Sequence, residues 1–328
     1  MEIVSMPLWA WILFYVLVLA MLMIDLKSFG RNGQHEVGVR EALKMTAVWI
    51  AVSLVFCAGI YWLYPIDPHE KAMEFLAGYL IEKSLSMDNL FVFLMLFSFF
   101  GVQRKYQHEV LFWGIIGALV LRSVFIFAGT AVIARFEWVL AVFGIFLIYT
   151  GIKMFRHVED DHVDPSNNIF VKVFKRFFPV TDQMHEDQFF VKETGSPGAH
   201  EPGSGKWLAT PLLIALIVIE TTDVAFAVDS IPAVFSVSRD PFIVLTSNIF
   251  AILGLRALYF ALAAIARYFT YLNYGLGIIL SFVGVKMLLE VFWHIKVPTP
   301  LSLAIIFGVL VLSMAISVIV SKSSADQS

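Results

Sequence analysis

The sequence predicts an all-α polytopic membrane protein of about nine transmembrane helices, six of them forming two inverted three-helix repeats. Three observations carry this expectation: a composition too apolar for a water-soluble globule, a series of apolar runs of spanning length, and landmarks that recur in the same order in both halves. Of 328 residues, 59% are hydrophobic and only 15% are charged, and the mean hydropathy of +0.81 lies far above that of soluble domains. A formal charge of -3, with no basic cluster interleaved with aromatics, excludes nucleic acid as a partner. The one cysteine, Cys57, rules out an internal disulfide framework and any multi-cysteine metal centre.

The apolar runs fall at about residues 8–27, 42–64, 75–101, 109–134, 136–155, 207–236, 241–267, 271–292 and 299–320, each roughly long enough to span a bilayer. No basic segment precedes the first run, and Lys27 and Arg31 follow it. That is the wrong order for a cleaved secretory signal, so a retained anchor is expected. Lysines and arginines then set the orientation. Fifteen lie at the exits of odd-numbered runs, among them Arg104, Lys105, Lys153 and Arg156, against four at even-numbered exits: Lys71, Arg135, Arg239 and Lys296. The positive-inside rule therefore places the N-terminus outside and the C-terminus in the cytoplasm of a multi-pass cell-membrane protein.

The chain divides accordingly: 1–71 as two N-terminal transmembrane helices, 72–155 as the first repeat, 156–206 as a cytoplasmic loop, 207–294 as the second repeat, and 295–328 as the last helix and tail. In the loop, Phe170, Val173, Phe174, Phe177 and Phe178 share one helical face opposite Lys172, Lys175 and Arg176. That is the pattern of an interfacial helix, and equally of one packed on the bundle. The acidic run from Glu159 to Asp164 is either a collector of metal or a solvated stretch. Gly195 to Gly205 has linker composition.

The repeat is the informative feature. Glu82-Lys83-Ser84-Leu85-Ser86-Met87-Asp88-Asn89 in the third run matches Asp223-Val224-Ala225-Phe226-Ala227-Val228-Asp229-Ser230 in the sixth. Leu121-Arg122-Ser123 matches Leu255-Arg256-Ala257, and Gly151-Ile152-Lys153-Met154 matches Gly284-Val285-Lys286-Met287. Three helices per repeat is an odd number, so the two copies enter the membrane from opposite sides, the arrangement of inverted-repeat transporters.

Glu82, Asp88, Glu220, Asp223 and Asp229 all lie well inside spanning segments, where each ionised group costs about 2.5–3.5 kcal/mol. Arg122 and Arg256 are available to neutralise two of them, and Lys83 to neutralise a third or to snorkel. The remainder require protons or a cation from outside the chain. With Ser86, Asn89, Thr221, Thr222 and Ser230 nearby, the ligand set is oxygen-rich. The eight histidines, at 35, 69, 108, 157, 162, 185, 200 and 294, lie in loops or at helix ends. Mn2+, Mg2+ and Ca2+ suit such a set better than zinc or copper. Two other readings of the acids stand beside this one: helix-pairing salt bridges with the two arginines, and a site for organic cations.

At about 100° per residue, Ser86 and Asn89 fall within about 40° of Glu82, whereas Asp88 is displaced by about 120° and Asp229 points about 180° from Glu220. Gathering these ligands at one point predicts local unwinding at Asp88-Asn89 and at Asp229-Ser230, helped by Pro232. A continuous helix whose two acid faces serve different partners is the alternative.

The stretches Glu82-Lys-Ser-Leu-Ser-Met-Asp-Asn-Leu-Phe-Val-Phe, Glu220-Thr-Thr-Asp-Val-Ala-Phe-Ala-Val-Asp-Ser-Ile-Pro-Ala-Val-Phe and Asp240-Pro-Phe-Ile-Val-Leu-Thr-Ser-Asn-Ile-Phe-Ala-Ile-Leu-Gly-Leu-Arg-Ala-Leu-Tyr-Phe resemble the TerC family in its Alx-type branch. The resemblance runs from about residue 8 to 320 and is weakest in the central loop. It implies export of manganese from the cytoplasm, and it points to Glu82, Asp88, Asn89, Glu220, Asp223, Asp229 and Ser230 as the site. Ser86, Thr222, Arg122, Arg256, Lys153 and Lys286 are supporting residues. The reading from the residues themselves selects the same acids. Mn2+ enters as the transported ion, with protons as exchange partners and no tightly bound cofactor. A second function stands from another class: a membrane assembly or partner-binding protein in which the acids stabilise the bundle. No nucleophile and base, and no cofactor motif, are placed for an enzyme.

Overall fold

The computed structural model describes residues 6–30, 38–136, 138–156, 169–181, 188–192, 207–265 and 272–325. Helices account for every apolar run. They are α1 (Leu8–Gly30), α2 (Val39–Leu63), α3 (Pro68–Phe99), α4 (Arg104–Arg135), α5 (Trp138–Arg156), α6 (Ile169–Phe177), α7 (Pro211–Phe235), α8 (Pro241–Ile252), α9 (Leu255–Ile265), α10 (Leu272–Trp293) and α11 (Thr299–Ala325). Strands β1 (Phe190–Lys192) and β2 (Trp207–Ala209) pair antiparallel between α6 and α7, a short ribbon that apolar periodicity did not signal.

Local chemistry sets several starts. Prolines open α3, α7 and α8 at their first turn, where the missing N–H costs no helical hydrogen bond. Asp240 caps α8 by accepting from the N–H groups of Phe242 (2.9 Å) and Ile243 (3.5 Å). The same carboxylate accepts from the Tyr64 hydroxyl at 2.5 Å, which ties the end of α2 to the start of α8. Burial and this neighbouring carboxylate push the Tyr64 phenol up.

Six described helices are long and apolar enough to cross a membrane: α1, α2, α4, α7, α10 and α11. The pair α8 and α9, bent by 41°, makes a seventh if it is one span. This is fewer than the nine expected, for two physical reasons. The 32-residue α3 has the length, but Glu82, Lys83 and Asp88 interrupt its apolar stretch. The apolar part of α5, Trp138–Met154, is short.

The predicted unwinding is overturned. α3 runs unbroken through Asp88-Asn89, and α7 runs unbroken through Asp229-Ser230 with Pro232 inside it. The helix resumes past the proline because the Pro232 carbonyl still accepts from the Ser236 N–H at 3.1 Å, and the whole last turn of α7 is packed in the interior. The break falls instead between α8 and α9, at Leu253-Gly254. Gly254 has φ +82°, and a Cβ there would lie 2.6 Å from the Trp49 ring. Only glycine satisfies both conditions.

α8 is buried from Phe242 to Ile252 and packs on α3, while α7 packs on α3 and α4. The closest helix pair is α5 with α10, where a Cβ on Gly144 would meet the Gly284 carbonyl at 3.0 Å. α6 packs on α7, with Val171 buried, Phe174 partly buried against the core, and Lys172, Lys175 and Arg176 exposed. Phe178 stacks on Phe174 but is itself exposed, as is Val173. The acidic run 159–164, the linker 195–205, and the side chains of Phe170 and Phe177 lie outside the described residues.

Candidate functional site: a buried arginine between two carboxylates

α3, α4 and α7 meet at a polar centre inside the bundle. Arg122 of α4 and Glu82 of α3 are both 0% exposed. The Arg122 guanidinium donates through Nη1 to Glu82, and through Nη2 and Nε to the two carboxylate oxygens of Asp223 on α7, at 2.8 and 3.1 Å. The planar fork of arginine fits this two-point grip on Asp223 while leaving an edge for Glu82. Asn248 of α8 donates its amide to the other Glu82 oxygen at 3.0 Å. Ser230 Oγ and Asn248 Oδ1 each stand 3.4 Å from Arg122 Nη1. Four helices thus supply one closed network of two acids and one base, the arrangement that makes buried charge tolerable.

Glu220 lies one turn before Asp223 on α7. Its Oε2 is buried without a hydrogen-bond partner among the described residues. The carboxylate rests against Gly117 of α4, in space that a Cβ at 117 would occupy. Gly117→Ala therefore displaces Glu220 from the polar centre. Its expected result is a lower unfolding temperature of the purified protein; an unchanged midpoint would show that the Glu220 position is immaterial to the bundle.

The remaining expected residues separate. Asp229 faces away from the Arg122 network: it accepts from Thr150 of α5 at 3.4 Å, and Lys153, exposed on the next turn, supplies positive charge nearby. Asn89 and Ser86 are buried in α3, and Ser86 Oγ has no hydrogen-bond partner among the described residues. Thr222 spends its hydroxyl on the Val218 carbonyl of its own helix, at 2.7 Å. Lys286 is buried near the charges of Glu290 and Glu74. Asp88 lies in α3, and its side chain is outside the described residues. Among the described residues no three His, Cys, Asp or Glu side chains are close enough to hold a metal ion. The described members of the expected ligand set are therefore not gathered at one point: Glu82, Asp223 and Ser230 surround Arg122, Glu220 stands beside them, and Asp229 is elsewhere.

Arg256, which the sequence pattern aligned with Arg122, takes a different partner. It pairs with Asp25 of α1 at 2.7 Å and lies over the Phe112 ring at 5.8 Å. Sequence reasoning missed both Asp25 and Asn248. Each is a polar residue inside an apolar run, and the charge of Asp25 within run 8–27 was a usable signal. Asn248 carried only the weaker mark of the Thr246-Ser247-Asn248 polar triplet.

Comparison with known proteins agrees with this architecture. The model of the integral membrane protein TerC family matches residues 67–325. A protein of Photorhabdus laumondii, named as a candidate membrane-bound redox modulator, Alx, is 45% identical over 100% of this chain and 99% of its own. The Alx of Escherichia coli K12 is 45% identical over 97% of this chain and 96% of its own. An uncharacterized membrane protein of Myxococcus xanthus is 46% identical over 95% and 92%. No solved structure matches. With the match spanning α3 to α11, this chain belongs to the TerC family of multi-pass integral membrane proteins.

Proposed function

We propose that this protein carries a hard divalent cation, Mn2+ foremost, out of the cytoplasm by exchange for protons, through the carboxylates around Arg122. The observation that carries the reading is that acids from both halves of the chain, Glu82 and Asp223, converge on one buried cation. In this form the guanidinium takes the position of the transported charge. Mn2+ bound by Glu82 and Asp223, with Glu220 alongside, displaces Arg122 toward Asn248 and Ser230. When the ion leaves, Arg122 and protons restore neutrality.

The inverted-repeat architecture belongs to the same proposal, and the packing supports it. α3 packs on α8 as its counterpart α7 packs on α4, α3 and α7 pack on each other, and α5 and α10 meet through the glycines Gly144 and Gly284. Alternating access then follows from rocking one repeat against the other, with the N-terminus outside and the C-terminus in the cytoplasm. The redox role in the names of the relatives finds little support in this chain. Its one cysteine, Cys57, points its thiol at the Ala72 carbonyl and has no second thiol to pair with.

The deciding experiment loads proteoliposomes with a manganese-sensitive dye and compares wild type with Glu82→Gln/Asp223→Asn, with and without a pH gradient. Flux that needs the acids and follows the gradient is the expected result. No flux from folded wild type refutes the transport reading.

A further inference from the structure

Lys83 follows Glu82 in α3 but belongs to neither of the roles its sequence offered, since it neither neutralises a described acid nor snorkels. Its side chain is 6% exposed, and Nζ donates to the Ala251 backbone carbonyl at 3.1 Å. Among the described residues no carboxylate stands within ion-pair distance of it. Ala251 lies in the last turn of α8, just before the bend at Leu253-Gly254. The last carbonyls of a helix lack intrahelical donors and form the negative end of its dipole. Such helix ends, exposed by a break inside a bundle, coordinate monovalent cations in carriers with discontinuous helices. Carbonyl oxygens can replace the hydration shell of an alkali ion.

The repeat provides an internal comparison. Lys83 corresponds to Val224, and Gly254 corresponds to Val120, because Leu121-Arg122 matches Leu255-Arg256. α4 passes through Val120 unbroken, and α7, which packs on α4, has valine where α3 has lysine. The broken helix and the buried ammonium therefore occur together at one of the two matched helix pairs, α3 with α8, and are both absent from the other, α7 with α4. A lysine retained for bundle packing alone has no reason to accompany the break.

We propose that the broken end of α8 is a monovalent-cation site, built from backbone carbonyls around Ala251, which this chain fills permanently with the ammonium of Lys83. A fixed internal cation makes the protein independent of K+ or Na+ at this position, and removing the side chain opens the site to either ion. The binding inference stands on the geometry alone. Its consequence for flux rests on the transport reading above.

The test compares thermal unfolding of the detergent-purified full chain in KCl, NaCl and choline chloride at equal ionic strength. The wild-type midpoint is expected to be the same in all three. Lys83→Ala should unfold at lower temperature in choline and recover saturably as K+ or Na+ is added. Lys83→Met, which fills the space without charge, should stay low in every salt. Equal responses of Lys83→Ala and Lys83→Met, or no response of Lys83→Ala to either ion, overturn the proposal. If Lys83→Ala cannot be purified folded, Lys83→Ser prepared in KCl and exchanged into choline reads the same difference. In vesicles, Mn2+ flux by Lys83→Ala should require K+ or Na+ whereas that of wild type should not. Absence of wild-type flux would refute the transport reading, while the unfolding comparison would still decide this one.

Discussion

Arg122→Leu is expected to cost about 3–5 kcal/mol of stability, because it leaves Glu82 and Asp223 buried without the cation both of them face. Glu82 would retain the Asn248 amide, and Asp223 would lose both bonds of the guanidinium fork. The measurement is thermal unfolding of the purified protein. Replacing all three members together, Glu82→Leu/Arg122→Leu/Asp223→Leu, should recover much of the loss, since no charge then remains to be desolvated. Arg122→Lys should fall between, because one ammonium cannot hold both Asp223 oxygens and also reach Glu82. An Arg122→Leu protein as stable as wild type would mean that this ion cluster does not hold α3, α4 and α7 together.

The largest expected effect on transport comes from Asp223→Asn. If Glu82 and Asp223 form the ion site, losing one charged oxygen pair should weaken Mn2+ affinity roughly 10–100-fold, the range that even outer partners of metal ligands command. The dependence of flux on Mn2+ concentration in vesicles would show this as a shift to higher ion concentration. The contrast is Asp25→Asn. Its partner Arg256 pairs with α1 and is not part of the Arg122 network, so this change should lower the unfolding temperature and leave the Mn2+ dependence in place. If Asp223→Asn and Asp25→Asn shift the Mn2+ dependence equally, the Arg122 centre has no special claim to the ion.

Much of this was legible in the residues. The apolar runs locate every long helix, because a segment of lipid-facing length must satisfy its backbone internally and therefore becomes helix. The intramembrane acids mark the polar centre, because an ionised group there demands a partner. Glu82 and Asp223, aligned with each other by the sequence pattern, both bond Arg122 in the structure. The pairing of Arg256 with Asp25 was not legible, since nothing in the spacing of α1 and α9 says that they touch. The unwinding expected at Asp88 and Asp229 failed for an identifiable reason. It assumed one shared site, whereas the continuous α7 presents its two faces to different neighbours, Asp223 to Arg122 and Asp229 to Thr150.

What the sequence by itself determined is the class of the protein, the position of its helices and the identity of its costly residues, because hydropathy and the price of a buried charge act locally along the chain. Which acid meets which base was decided by the tertiary structure alone. Contacts such as the ion pairs of Arg122 with Glu82 and Asp223, or the hydrogen bond of Lys83 to the Ala251 carbonyl, join residues 40, 101 and 168 positions apart. Their formation depends on how helices rotate and cross, and periodicity along one helix carries no information about that.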